Sequence, residues 1–224
     1  MKKYEFTGET KRVELWNRTA TLHRIKATVE FGFVKVGELG GWIEKEENLS
    51  HEGKAWVCGD AKVWGNAEVC DDAEVWGNAE VWGNAKVCGD AKVCGDAEVW
   101  GNAKVWGNAK VCDDAEVWGN AKVWGNAKVW GNAKVCDDAE VCGDAEVFLA
   151  SHVLVMGSVG SRNDFTTFFR DKDNEITVKC GCFLGKIDKF LEKVTQTHGN
   201  NKYALVYRAA VEVAKLQIEL TERK

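Results

Sequence analysis

Not one proline occurs among the 224 residues of this chain, where ordinary usage of about 5% would place roughly eleven. That absence suits a structure in which nearly every backbone N–H is committed to a ladder, since proline would break each rung it entered. The chain also lacks an excess of either charge: 30 basic against 35 acidic residues leave −5, so there is no overall basic character to recruit nucleic acid or an acidic membrane surface. It lacks long apolar runs as well. The start, MKKYEFTGETKRVEL, has no apolar stretch of leader length, and nothing approaches the roughly 18 apolar residues of a bilayer span. The expectation is a cytoplasmic protein. Nine cysteines in that setting are expected as reduced thiols, with Cys70 and Cys88 among them.

What the chain has in abundance is one six-residue phrase. From Val57 to Val159 a valine stands at every sixth position, eighteen times without a gap. Two residues before each valine is a small residue: Ala55, then every sixth residue from Ala61 to Ala145, then Ser151 and Gly157. Lys or Glu nearly always separates the two. Each unit therefore reads small-in, charged-out, Val-in, a short strand by period-2 alternation. Trp or Cys follows, then Gly or Asp, then Asn or Asp, residues that tolerate positive φ and so make a corner.

A strand and a corner every six residues, with a small residue two positions before an aliphatic one, resembles the hexapeptide repeat. The resemblance implies a left-handed parallel β-helix of triangular coils, three units to a coil, here about six coils in a prism roughly 30 Å tall at about 4.8 Å per coil. The expected fold class is mainly β, with an N-terminal β cap over residues 1–42, the β-helix over 43–161 and a C-terminal ββαα module over 162–224.

A narrow prism holds Ala and Val but not Trp, so the corner Trp and Cys side chains are expected outside. Stacking by 18 residues aligns Trp64, Trp82, Trp100 and Trp118 on one edge and Trp106 with Trp124 on another. Lys92, Lys110 and Lys128 align on one face, Lys86, Lys104 and Lys122 on a second, and Glu80, Glu98 and Glu116 on the third. Like charges about 4.8 Å apart repel, so these runs are not expected to stabilise the coil. The candidate binding residues are Trp64, Trp82, Trp100, Trp118, Trp106, Trp124, Lys86, Lys104 and Lys122. A plainer account competes: every corner Trp is followed by Gly-Asn and every corner Cys by Gly-Asp or Asp-Asp, and VCDDAEVWGNA occurs at 69 and again at 111, so the ladders could record duplication of short cassettes.

The ends differ from the middle. Ile25, Ala27, Val29, Phe31 and Phe33 alternate with polar residues and predict a capping strand. GELGGWIEKEENLS then leads into the first coil, and with the tail segments CGCFLGKIDKF and THGNNKYA it resembles a group of phage and prophage hexapeptide-repeat proteins. That resemblance implies a phage origin and assigns no activity. In the tail, Thr166–Arg170 and Glu175–Phe183 are expected as a hairpin. Helices are expected from about Lys186 to His198, burying Ile187, Phe190, Leu191 and Val194, and from about Lys202 to Glu219, with an apolar face of Tyr203, Val206, Tyr207, Ala210, Val213, Ala214 and Leu220. Cys180, Cys182 and His198 could supply a nucleophile and base, or three zinc ligands. Strand phase instead puts both thiols in the core, so no metal or other cofactor is expected.

Three classes of function follow. Acyl transfer on a hexapeptide scaffold would need a histidine base, and the outward-facing candidate is His152; His51 falls in the valine phase and is expected to be packed. Binding or sequestration would use the Trp edges and Lys stripes, chemistry suited to a nucleotide-like ligand or a host protein. A structural role would use the rod as a spacer or virion component. Binding by a homo-oligomer, a dimer or trimer, is the reading adopted, without catalytic residues and without nucleic acid or membrane as partners.

Overall fold

The computed structural model describes residues 2–14 and 18–220. Within them, an antiparallel hairpin of β1 (Tyr4–Glu14) and β2 (Thr19–Ala27) leads to β3 (Leu39–Ile43). Sixteen two-residue strands follow, β4 (Trp56–Val57) to β19 (Glu146–Val147), one every six residues. Each of β7 to β16 pairs in parallel with the strand three before and the strand three after it, valine against valine, so the coils stack as a three-sided β-solenoid of about six turns. The hairpin pairs with β3 and so continues one of the three faces.

The interior is a column of Ala and Val side chains that are fully buried. Above it, Tyr4, Ile25, Val34 and Trp56 close the bore, with Phe31 packed against them. Below it, Phe169 reaches into the same core. The corner glycines take φ near +70°, and they must be small: a Cβ on Gly77 would stand 2.9 Å from the carbonyl oxygen of Gly95 in the next coil. Asp71 and Asp113 occupy that backbone conformation without being glycine, at φ 57° and 59°. The cost of αL is offset because each carboxylate accepts a hydrogen bond from the next coil, Asp71 Oδ2 from the N–H of Gly89 at 3.0 Å and Asp113 Oδ2 from that of Gly131 at 3.2 Å. The asparagines ladder too: Asn66, Asn84, Asn102 and Asn120 pass side-chain hydrogen bonds from coil to coil at 3.0–3.2 Å.

Several expectations need correction. The capping strand ends at Ala27; residues 28–38 turn, and Phe33 is 59% exposed. The first coil begins at Leu39. The hexad phase runs on past the last coil, but Val153 and Val159 lie in β20 (Val153–Val159), an antiparallel strand of the C-terminal sheet with β21 (Asp164–Arg170), β22 (Ile176–Cys180) and β23 (Phe183–Lys186). The tail thus has four strands, followed by α1 (Ile187–His198) and α2 (Lys202–Gln217). β21 seals the end of the solenoid: Thr167 Oγ1 accepts from the N–H of Glu140 at 2.9 Å, Arg170 Nη1 donates to the carbonyl of Glu146 at 3.1 Å, and the N–H of Lys172 donates to that of Asp144 at 3.0 Å. Edge groups that would otherwise pair with another chain are used here.

The tail has its own core of Phe168, Ile176, Val178, Phe190, Val194, Tyr207, Ala210, Val211 and Ala214. Asn201 caps α2, its side chain accepting from the N–H groups of Tyr203 and Ala204. The apolar face of α2 divides: Tyr207, Ala210 and Ala214 are buried with Val211 and Ile218, while Val206, Val213 and Leu220 are exposed. No helix among the described residues is long and apolar enough to cross a membrane.

Candidate functional site

The corner position matches like with like. Trp64, Trp82, Trp100 and Trp118 form one continuous stack, centroids 4.9–5.0 Å apart and planes within 4° of parallel. Trp106 stacks on Trp124 at 5.0 Å. Where cysteine follows cysteine by 18 residues the sulphurs join, Cys70 with Cys88 and Cys94 with Cys112. This overturns the expectation of free thiols at Cys70 and Cys88. Ladder neighbours have Cα atoms only 4.5–4.8 Å apart, within the span a disulfide needs.

The indoles are less exposed than alternation implies. Their faces cover one another, and the four-membered stack is closed at one end, where Trp64 is buried at 3% exposure under Ala20, Leu22 and Trp42 of the cap. Trp82, Trp100 and Trp118 are half-buried. This edge has no free ring face between neighbours for a ligand to occupy, and the structure does not join it to the lysine stripe.

The charge ladders also differ from expectation. Each run of three like charges is bounded at both ends by the opposite sign. On one face Lys62 pairs with Glu80 and Lys134 with Glu116; on the second Lys86 pairs with Glu68 and Lys122 with Glu140; on the third Lys92 pairs with Glu74 and Lys128 with Glu146. Only the middle member of each run keeps like neighbours on both sides: Glu98, Lys104 and Lys110. Burial, then the charges of Glu80 and Glu116, hold the Glu98 carboxyl above the ordinary range. Lys104 forms no ion pair among the described residues.

It is around Lys104 that the predicted residues converge. Lys104, Lys122, Trp106 and Trp124 line a groove of about 380 Å³ with Glu140 and Lys179. Lys179 belongs to β22 of the tail, and its Nζ lies 5.8 Å from the Trp124 ring centroid, a cation over an aromatic face. The groove runs into a cleft of about 480 Å³ between solenoid and tail, sharing Lys122, Glu140 and Lys179 and adding Asn120, Asp138, Arg162, Asp164, Phe165 and Thr167. Glu140 is the organising carboxylate: Lys122 and Lys179 contact it at 2.8 and 3.0 Å. Burial raises its pKa, but those hydrogen bonds outweigh burial and leave the carboxyl below its ordinary value. The joined lining has four cations (Lys104, Lys122, Arg162, Lys179) and three carboxylates (Asp138, Glu140, Asp164), so one positive charge is left over. Lys86 stays outside, tied to Glu68.

The catalytic constellations fare differently. His152 is fully buried; its Nδ1 accepts from the N–H of Phe148 at 3.4 Å, and burial, followed by the nearby Arg170 charge, pushes its pKa down to about 4. It does not face outward. His51 is packed as expected, stacked on Tyr4 at 4.3 Å. Cys180 is half-buried and accepts from Thr166 Oγ1 at 3.2 Å, while Cys182 sits exposed in the turn after β22, where strand phase no longer applies. His198 Nε2 is 3.3 Å from Ser161 Oγ. Among the described residues Cys180, Cys182 and His198 do not come close enough together to share an ion.

The residues that sequence reasoning missed are Lys179, Arg162 and Glu140. Lys179 and Arg162 arrive from a module some fifty residues away, and no local signal in the sequence marks them. Glu140 was legible as the end of the lysine run. No protein-family model matches this chain, and no curated protein matches it.

Proposed function

We propose that the chain is a phage-encoded, non-enzymatic binding protein whose groove at the solenoid–tail junction holds a small anionic ligand bearing a planar ring, of the nucleotide class. One observation carries this reading: Lys104, Lys122 and Lys179 gather beside the Trp106–Trp124 edge, and Lys104 has no carboxylate partner among the described residues. An anion there would satisfy the central lysine and a ring would lie along the indole edge. The phage origin rests on the resemblance of the two ends.

The test is titration of adenine and guanine mononucleotides and cyclic dinucleotides into the intact protein, followed by calorimetry and indole fluorescence. Lys104→Ala with Lys122→Ala should weaken binding at least tenfold, about 1.4 kcal/mol, while Lys92→Ala on another face should not. No saturable binding by any of these ligands would defeat the reading. A structural role is the second reading, favoured by the mutual stacking of the indoles, which satisfies them without a ligand.

Self-association belongs to the same proposal. With the long Trp edge half-buried, α2 and the residues just beyond it carry an exposed apolar stripe: Val206, Val213 and Leu220 recur every seven residues with Ala209 and Leu216 between them, the spacing of a helix–helix seam, and Leu216 is 90% exposed. Light scattering should find a dimer or trimer, and Val213→Glu with Leu216→Glu should yield monomers that retain the solenoid's circular dichroism. A monodisperse wild-type monomer at micromolar concentration would remove the oligomer from the proposal.

A further inference from the structure

The two cysteine pairs look equivalent in sequence but differ in what surrounds them. In each, one cysteine belongs to a Cys-Asp-Asp corner and the other to a Cys-Gly-Asp corner. In the first pair the Asp-bearing cysteine comes first: Cys70 is followed by Asp71, whose carboxylate leans forward one coil to the N–H of Gly89, beside Cys88. In the second pair it comes last: Cys112 is followed by Asp113, whose carboxylate also leans forward, to the N–H of Gly131, and so away from Cys94. The same local conformation thus places a carboxylate with one sulphur pair and removes it from the other. A ligand atom from each of Cys70, Asp71 and Cys88 lies within 4.8 Å of the other two, and no other such trio of His, Cys, Asp or Glu occurs among the described residues.

We propose that the Cys70–Cys88 pair, once reduced, is a site for a thiophilic divalent cation of the zinc and cadmium class, with Asp71 as third protein ligand. A dithiol reductant supplies two electrons and two protons to open the disulfide; the reductant is left as its own disulfide, and the chain holds two thiols. The cation then displaces both thiol protons and takes two thiolates and one carboxylate oxygen, with water as fourth ligand, the composition of an open zinc site. Sulphurs bound to one tetrahedral ion at about 2.3 Å stand roughly 3.7 Å apart, a separation that side-chain rotation gives without moving two corners whose cysteine Cα atoms are 4.8 Å apart. Asp71 Oδ2 is held by the Gly89 N–H, leaving Oδ1 to coordinate. All three residues lie on the outside of the coil, Asp71 exposed and both cysteines half-buried, so the ion has an entry path. The disulfide and the ion exclude each other, which makes the site responsive to thiol redox state.

The experiment uses the full chain reduced by a phosphine and titrated with cadmium under argon, with uptake read by dialysis and elemental analysis and by the sulphur-to-cadmium charge-transfer absorption. Cys70→Ser should abolish one equivalent of uptake, Asp71→Asn should weaken that equivalent at least tenfold, and Cys112→Ser should abolish none. The inference is overturned if Cys70→Ser removes no equivalent, if Asp71→Asn changes affinity less than tenfold, or if Cys112→Ser also removes an equivalent, since a bare thiol pair would then suffice. Asp71→Asn keeps both cysteines and the αL-tolerant side chain, so it remains informative should a cysteine variant fold poorly.

Discussion

Replacing Glu98 by lysine should make the protein more stable. In the ladder Lys62, Glu80, Glu98, Glu116, Lys134, each residue pairs in register with the next, and only Glu98 breaks the alternation of sign. Its carboxyl is held above the ordinary range by burial and by Glu80 and Glu116, so the native state binds its proton more tightly than the unfolded chain does. Its contribution to stability is therefore greatest in acid and is lost as pH rises through the native pKa. Glu98→Lys removes two cross-strand repulsions and adds two attractions. At about 0.3–0.5 kcal/mol for each half-exposed contact, the gain is about 1–2 kcal/mol. In urea, with a slope of about 2 kcal/mol/M, the midpoint should rise by about 0.5–1 M at neutral pH and low salt. Glu98→Gln removes the repulsions alone and should give about half. In 1 M salt, where the screening length is about 3 Å, both gains should shrink. A Glu98→Lys midpoint at or below wild type at low salt, with Glu98→Gln unchanged, would refute the claim that ladder sign order matters.

Two further predictions concern the lower end of the solenoid. Phe169 is fully buried against the last coil, so Phe169→Ala should cost about 3–5 kcal/mol of the junction's stability; hydrogen exchange should show β21 opening before the middle coils, and unchanged protection of β21 would contradict the plug. His152, fully buried with its pKa at about 4 against an ordinary 6.5, binds its proton more weakly in the native state. Stability should fall as pH drops from about 6.5 to about 4, and His152→Asn, which keeps a hydrogen-bond acceptor for the Phe148 N–H but does not titrate, should flatten that fall; denaturation midpoints across this range that match in both proteins would exclude it.

The solenoid was legible because its physics is local. A valine and an alanine per six residues leave only one side for each strand to face, and Gly or Asn at the corner leaves only one place to turn. The corner contents were legible as a list but not as contacts. Alternation says that Trp82 points away from the bore; it does not say that the indole lies flat on Trp64 and Trp100 rather than in water. Reading Cys70 from composition alone likewise overlooked that a neighbour 18 residues on is only one coil away. The hexad phase through Val153 and Val159 misled for a related reason: a six-residue period also satisfies an antiparallel strand, whose alternation is two.

The candidate groove divides in the same way. Lys104 with Lys122, and Trp106 with Trp124, were aligned by counting alone, because a period of 18 converts sequence separation into height on a rod. Lys179 and Arg162 come from a separately packed module with its own core, whose seating on β18 and β19 depends on Phe169, Thr167 and Arg170 meeting the last coil. The sequence by itself determined the repeat, the faces and the order of charges along each ladder, since every one of these follows from a fixed six-residue period. Only the tertiary structure decided which edge of the rod becomes a cleft, because that turns on contacts between surfaces far apart in the chain, and periodicity carries no information about where the rod ends and what docks there.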